Sequence, residues 1–80
     1  MARVVFPDHL LSYFGGQRVV ESGAENVRDL VLELEVRWPG CREVLGRCAV
    51  AIDGDIYQDA FLEPISRDSE VFFLQRIEGG

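Results

Sequence analysis

Val71-Phe72-Phe73-Leu74-Gln75-Arg76-Ile77-Glu78-Gly79-Gly80 is the stretch on which the reading of this chain turns. Val71 to Gln75 reads as a strand whose first four residues, Val71 to Leu74, are apolar at consecutive positions, the pattern of a strand buried in the middle of a sheet rather than half-exposed at its rim. The run then passes into two glycines. Extended residues span ~3.3–3.6 Å each, so Ile77 to Gly80 carry a terminal carboxyl roughly 13 Å past the strand. Lacking Cβ atoms, Gly79 and Gly80 let another backbone or a ligand approach closely. A stray Gly-Gly would be an ordinary frayed end. Set directly after a central strand, it points to the carboxylate of Gly80 as the working group, and divides the chain into a domain over 1–76 and a tail over 77–80.

Working back from that strand, Ser66-Arg67-Asp68-Ser69 is polar turn chemistry. It closes a long loop in which Phe61, Leu62 and Ile65 are the expected core plugs. Asp53-Gly54, between Arg47–Ile52 and Asp55–Tyr57, is a strong hairpin signal. Residues 41–46 read as a connector with one helical turn. Before it, Asn26 with Asp29 three residues on forms a variant capping pattern, and Val27, Leu30, Val31 and Leu34 recur at helical spacing. Arg28, Asp29, Glu33 and Glu35 fill the opposite face, and Trp38-Pro39-Gly40 ends the helix, with Val36 and Trp38 expected to tuck its end onto the core. At the start, Arg3–Phe6 is a β-branched strand stopped by Pro7. Asp8 is a candidate cap for a helical turn over His9–Phe14, Gly15-Gly16 a stop for that turn, and Gln17–Glu21 a second strand. The order is ββαβββ, an α+β domain with one main helix on a mixed sheet of five strands.

Composition narrows the function. Fourteen acidic against eight basic residues leave a net charge of −6, the wrong sign for gripping nucleic acid. No apolar run approaches the ~20 residues of a membrane span, and Met1–Phe6 meets charge and proline too soon for a signal-peptide core, so a cytoplasmic protein is expected. All eight cations are arginine, so a C-terminal acyl group, once activated, meets no ε-amine of its own chain. Cys41 and Cys48 match no zinc spacing and read as small buried hydrophobes. Asp8, His9, Ser12 and Ser22 lack any nucleophile-elbow pattern, and Asp53 with Asp55 lack the remaining ligands of a calcium loop. With no assembled acid, base and nucleophile, catalysis by this chain alone is not expected.

Arg37-Trp38-Pro39-Gly40, Ala51-Ile52-Asp53-Gly54, Pro64-Ile65-Ser66-Arg67-Asp68-Ser69-Glu70-Val71 and the final Gly79-Gly80, in that element order, resemble the MoaD/ThiS family of ubiquitin-like sulfur carriers, in particular the small subunit of molybdopterin synthase. The resemblance implies a β-grasp fold. It implies that an adenylyltransferase similar to ubiquitin-activating enzymes, using ATP and magnesium, adenylates Gly80. A sulfur donor then leaves a thiocarboxylate there, which serves the large subunit of a molybdopterin synthase-like complex. This chain itself would bind no cofactor or metal. Gly80 and Gly79 become the reacting end, and Arg76, Ile77 and Glu78 line the partner's entry channel. Leu74 and Tyr57 become candidate apolar contacts on the exposed sheet face, with plain core or edge packing an equal account of both. Gln75-Arg76-Ile77-Glu78 departs from the small apolar tail usual in the family and is closer to ubiquitin and its prokaryotic modifier relatives. A protein modifier, or a carrier for thiamin thiazole or cysteine synthesis, is the alternative.

Overall fold

The computed structural model describes residues 1–76. Its elements are β1 (Ala2–Val5), a 3₁₀ helix (Asp8–Phe14), β2 (Val19–Ser22), α1 (Val27–Arg37), α2 (Cys41–Leu45), β3 (Cys48–Ile52), β4 (Asp55–Tyr57) and β5 (Glu70–Gln75). They form one five-stranded sheet in the order β2-β1-β5-β3-β4. The last strand of the sequence is therefore the middle strand of the sheet. It runs parallel to β1 and antiparallel to β3.

One side of the sheet carries the core. Val4, Val20, Val50, Ile52, Val71 and Phe73 turn toward Val27, Leu30, Val31 and Leu34 of α1, at the helical spacing read from the sequence. The Asn26 side chain accepts the Asp29 amide at 2.8 Å, the cap that starts α1. Trp38 ends the helix as expected and stands edge-on to Phe14, ring centroids 5.3 Å apart, while Phe6 and Phe14 stack and Phe6 meets Phe73. Arg37 lays its guanidinium over the Trp38 ring. These aromatics weld the 3₁₀ helix and the end of α1 to the central strand.

Several local expectations are corrected. Phe61, Leu62 and Val36 are exposed, whereas Ala60, Ile65 and Trp38 pack in or against the core. Val36, two positions past Leu34, is turned outward by the helical phase itself. For the loop residues the reason lies in the helix start: the carbonyls of Phe61 and Glu63 accept the free amides of Arg28 and Val27, and Glu25 receives the Ile65 amide. Meeting the unpaired donors of the first helical turn takes precedence. The backbone so pinned turns Ala60 and Ile65 inward and the larger side chains outward. Asp8 does not cap the 3₁₀ helix, which starts from Pro7 with no side-chain cap; its carboxylate pairs instead with Arg18. The second strand begins at Val19 rather than Gln17.

The β3–β4 turn is the Asp-Gly hairpin, with φ of 50° at Asp53 and 90° at Gly54. Asp53 also ties this turn to the start of β5. Its carboxylate accepts the Ser69 hydroxyl at 2.8 Å and the Glu70 amide at 2.9 Å. Those bonds favour the charged form and hold the Asp53 carboxyl below the ordinary range, the Glu70 amide weighing most. A depressed carboxyl stabilises the fold above its unfolded value of about 3.9, and that contribution is lost as pH falls through the lower, folded value. Glu35, lowered by the Gly40 and Arg42 amides it accepts, acts in the same direction. We expect Asp53→Asn to melt lower than the wild type at pH 7 and to lose less on acidification from pH 5 to pH 2, leaving the share of Glu35. Thermal melts across that range that run parallel for the two proteins would rule the clamp out.

Candidate functional site: the outgoing end and open face of the central strand

β5 leaves the sheet in two steps. Its ladder with β1 ends at Val5 opposite Phe72, while its ladder with β3 continues to Cys48 opposite Gln75. The last residues of the strand are thus held from one side only. Beyond them, Arg76 donates from its guanidinium to the carbonyl of Gln58, just past β4. Residues 77–80 lie outside the described residues, so the roles expected of Ile77, Glu78, Gly79 and Gly80 rest on the sequence.

The face of the sheet away from α1 is where the apolar run of β5 departs from expectation. Register places Val19, Val5, Phe72, Ala51 and Ile56 side by side, one from each of the five strands. Leu74 sits opposite Ala49 in the next rank. Phe72 is 36% exposed and Ile56 64%. The strand is central, but only its Val71 and Phe73 side is buried; none of the described elements covers the other. The rank nearer the start of β5 is charged, Glu21, Arg3 and Glu70, with an Arg3–Glu70 ion pair of 2.7 Å.

Leu74 and Tyr57, paired in the sequence reading, fall on opposite faces. Tyr57 faces Val50 across the β3–β4 ladder and packs against the core on the helix side, where desolvation, with Glu63 and Asp55 nearby, pushes its phenol pKa up. The reason is parity. Side chains alternate along a strand, and Ile56, one residue earlier, takes the outward place. The apolar rank is legible residue by residue as apolar strand positions, but its alignment needs a register that only the folded ladder supplies.

A cavity of about 220 Å³ lies at the root of the tail, walled in part by His9, Arg47, Cys48 and Arg76. The Cys48 thiol is raised by burial against a smaller opposing pull from Arg76, and Cys41 is raised to about 11 by burial and then by the charge of Glu35. Both thiols are protonated at neutral pH and are poor nucleophiles. Native protein at pH 7 is expected to leave Ellman's reagent uncoloured and to titrate both cysteines once unfolded in urea. Rapid native reaction of either thiol would refute this. Because the folded pKa values lie above the unfolded ones, the thiols favour the fold up to about pH 8.5 and cease to do so as pH climbs toward the folded values. The Ser22 hydroxyl donates to Glu33, and Asp8 is engaged by Arg18, so these side chains point to separate partners rather than to one hydrolytic site with His9.

A central last strand, a helix packed on one face and an open opposite face define the ubiquitin-like β-grasp, the fold expected from the sequence. The solved structures that share it include Mycobacterium tuberculosis CysO, with a TM-score of 0.84 and 17% identity over 96% of this chain and all of that one. They include also the Amycolatopsis orientalis BexX/CysO complex, with a TM-score of 0.81 and 18% identity over the whole of both chains. At such identities the likeness is one of fold. No family model matches the sequence, and no curated protein does.

Proposed function

We propose that this chain is a sulfur carrier whose reactive group is the carboxyl of Gly80. The observation that carries the reading is the place of β5: the middle strand of a β-grasp sheet ends at Gln75, and Gly79-Gly80 follow within five residues. A ubiquitin-activating-enzyme-like adenylyltransferase supplies ATP and magnesium. The Gly80 carboxylate attacks the α-phosphorus, pyrophosphate leaves, and an acyl-adenylate forms. The terminal sulfur of a persulfide then adds to the acyl carbon and expels AMP. A second thiol attacks the donor's sulfur of the resulting acyl disulfide, forming a new disulfide with the donor and releasing a proton and the thiocarboxylate. Positioning by the partner makes each step effectively unimolecular. The absence of lysine keeps the activated acyl group from capture by an ε-amine of its own chain.

Of the pathways named above, the likeness to two CysO structures favours the alternative, sulfur delivery for cysteine synthesis, over delivery to a molybdopterin precursor. The apolar rank around Phe72, beside the outgoing end of β5, is the surface we assign to protein partners. CysO is itself seen in complex with a protein, BexX. The net charge of −6 suits a basic rim on such a partner, aiding encounter more than final affinity. The test is intact mass spectrometry after incubation with an adenylyltransferase, ATP, magnesium and a persulfide donor. A species heavier by the exchange of one oxygen for sulfur supports the reading. Isopeptide conjugates to lysines of other proteins, with no sulfur gained, would replace it with the modifier reading.

A further inference from the structure

We propose that Arg76 is a positioning residue, an internal clamp that sets the direction in which the chain leaves the sheet, rather than a contact reserved for the partner. Three observations meet at this residue. The β1 ladder abandons β5 at Phe72, so its outgoing end hangs on β3 alone, and that ladder stops at Gln75. At the next residue the guanidinium reaches back across β3 to the carbonyl of Gln58, at the end of β4. It is packed closely enough that its Nε–H is cut off from solvent without an acceptor among the described residues, which a freely swinging surface arginine would not accept. The planar fork is thus anchored on the side opposite β1. It adds a second hold, beyond the β3 ladder, where the parallel strand no longer gives one. Under the sulfur-carrier reading, on which the functional consequence rests, the clamp fixes Arg76, the point from which the reacting end is presented to a partner docked on the neighbouring sheet face. The ordering cost is then met before docking rather than at the reacting centre.

The experiment compares wild type, Arg76→Ala and Arg76→Lys by backbone ¹⁵N relaxation of the free protein and by steady-state activation with an adenylyltransferase. In the wild type, order parameters at Gln75 and Arg76 are expected near about 0.85; in Arg76→Ala they fall toward about 0.6. Arg76→Lys, which still presents one donor to the Gln58 carbonyl, recovers part of the difference. For activation, Arg76→Ala is expected to lower kcat by roughly 10- to 100-fold, with KM nearly unchanged because the docking face is intact. Unaltered order parameters in Arg76→Ala overturn the clamp. So does a rise in KM with free-state relaxation unchanged, the mark of a direct partner contact. Loosening without loss of kcat overturns the positioning role. If the wild type itself were never activated, the sulfur-carrier reading would fall, and the relaxation data alone would still decide the clamp.

Discussion

A chain ending at Glu78 is expected to fold and melt like the full-length protein and to accept no sulfur at all. The first half follows from where the stabilising contacts lie. Among the described residues, the core, the Asn26 cap, the Asp53 tie and the aromatic cluster hold the fold together, and β5 is complete at Gln75. The second half follows from reach. Removing two extended residues withdraws the carboxyl by roughly 7 Å, and the new terminal residue carries a side chain where a narrow channel would admit only backbone. Reacting atoms must approach to about 3–3.5 Å, and displacements near 1 Å already cost on the order of 100-fold. Loading of the truncated protein, followed by intact mass, should therefore show only unmodified chain. Sulfur incorporation at the full-length rate would end the proposal that Gly80 is the reacting end. A fall in melting temperature would mean instead that residues 79 and 80 have a structural role.

The second large effect separates two neighbouring phenylalanines. Phe73 is 1% exposed and lies in the core beside Phe6, whereas Phe72 looks out from the open face. Truncating a buried phenylalanine to alanine costs about 3–5 kcal/mol. A small domain has only about 5–15 kcal/mol of net stability, so Phe73→Ala should leave the protein largely unfolded or close to it in urea titrations at 25 °C. Phe72→Ala should cost about 1 kcal/mol of stability and keep the native circular dichroism. If the apolar rank docks the partner, the same change weakens binding by about 1–2 kcal/mol, a five- to thirty-fold rise in Kd. Equal destabilisation by the two substitutions would mean that the outer face is covered after all. An unchanged Kd for Phe72→Ala would remove the rank from the docking surface.

What could be read in advance was whatever neighbours along the chain decide among themselves. The Asn26 cap, the 3.6-residue recurrence from Val27 to Leu34, the stop at Trp38-Pro39-Gly40 and the Asp53-Gly54 turn depend on contacts a few residues apart, and all four stand in the structure. The centrality of β5 was legible as well, since an uninterrupted apolar strand cannot lie at a wet edge. Its second face, expected to be buried, is open among the described elements. An apolar run signals burial by something, and does not distinguish the domain's own helix from a separate molecule. Phe61 and Leu62 face solvent because the backbone donors opening α1 claim the loop carbonyls, a competition between main-chain and side-chain demands that hydrophobicity does not record, whereas Val36, two positions past Leu34, is turned outward by the helical phase itself.

The sequence by itself determined the element order, the helix and its ends, and the hairpin turn, because each is set by local propensity and spacing. Tertiary structure alone decided which side chains share a face. It aligned Val19, Val5, Phe72, Ala51 and Ile56 into one rank, sent Tyr57 to the other side, and brought the Arg76 guanidinium to the Gln58 carbonyl eighteen residues away. The physical reason is that strand register is a long-range quantity. A slip of one residue reverses every side chain on a strand, and only the packing of the whole sheet against α1 makes one register cheaper than its neighbours.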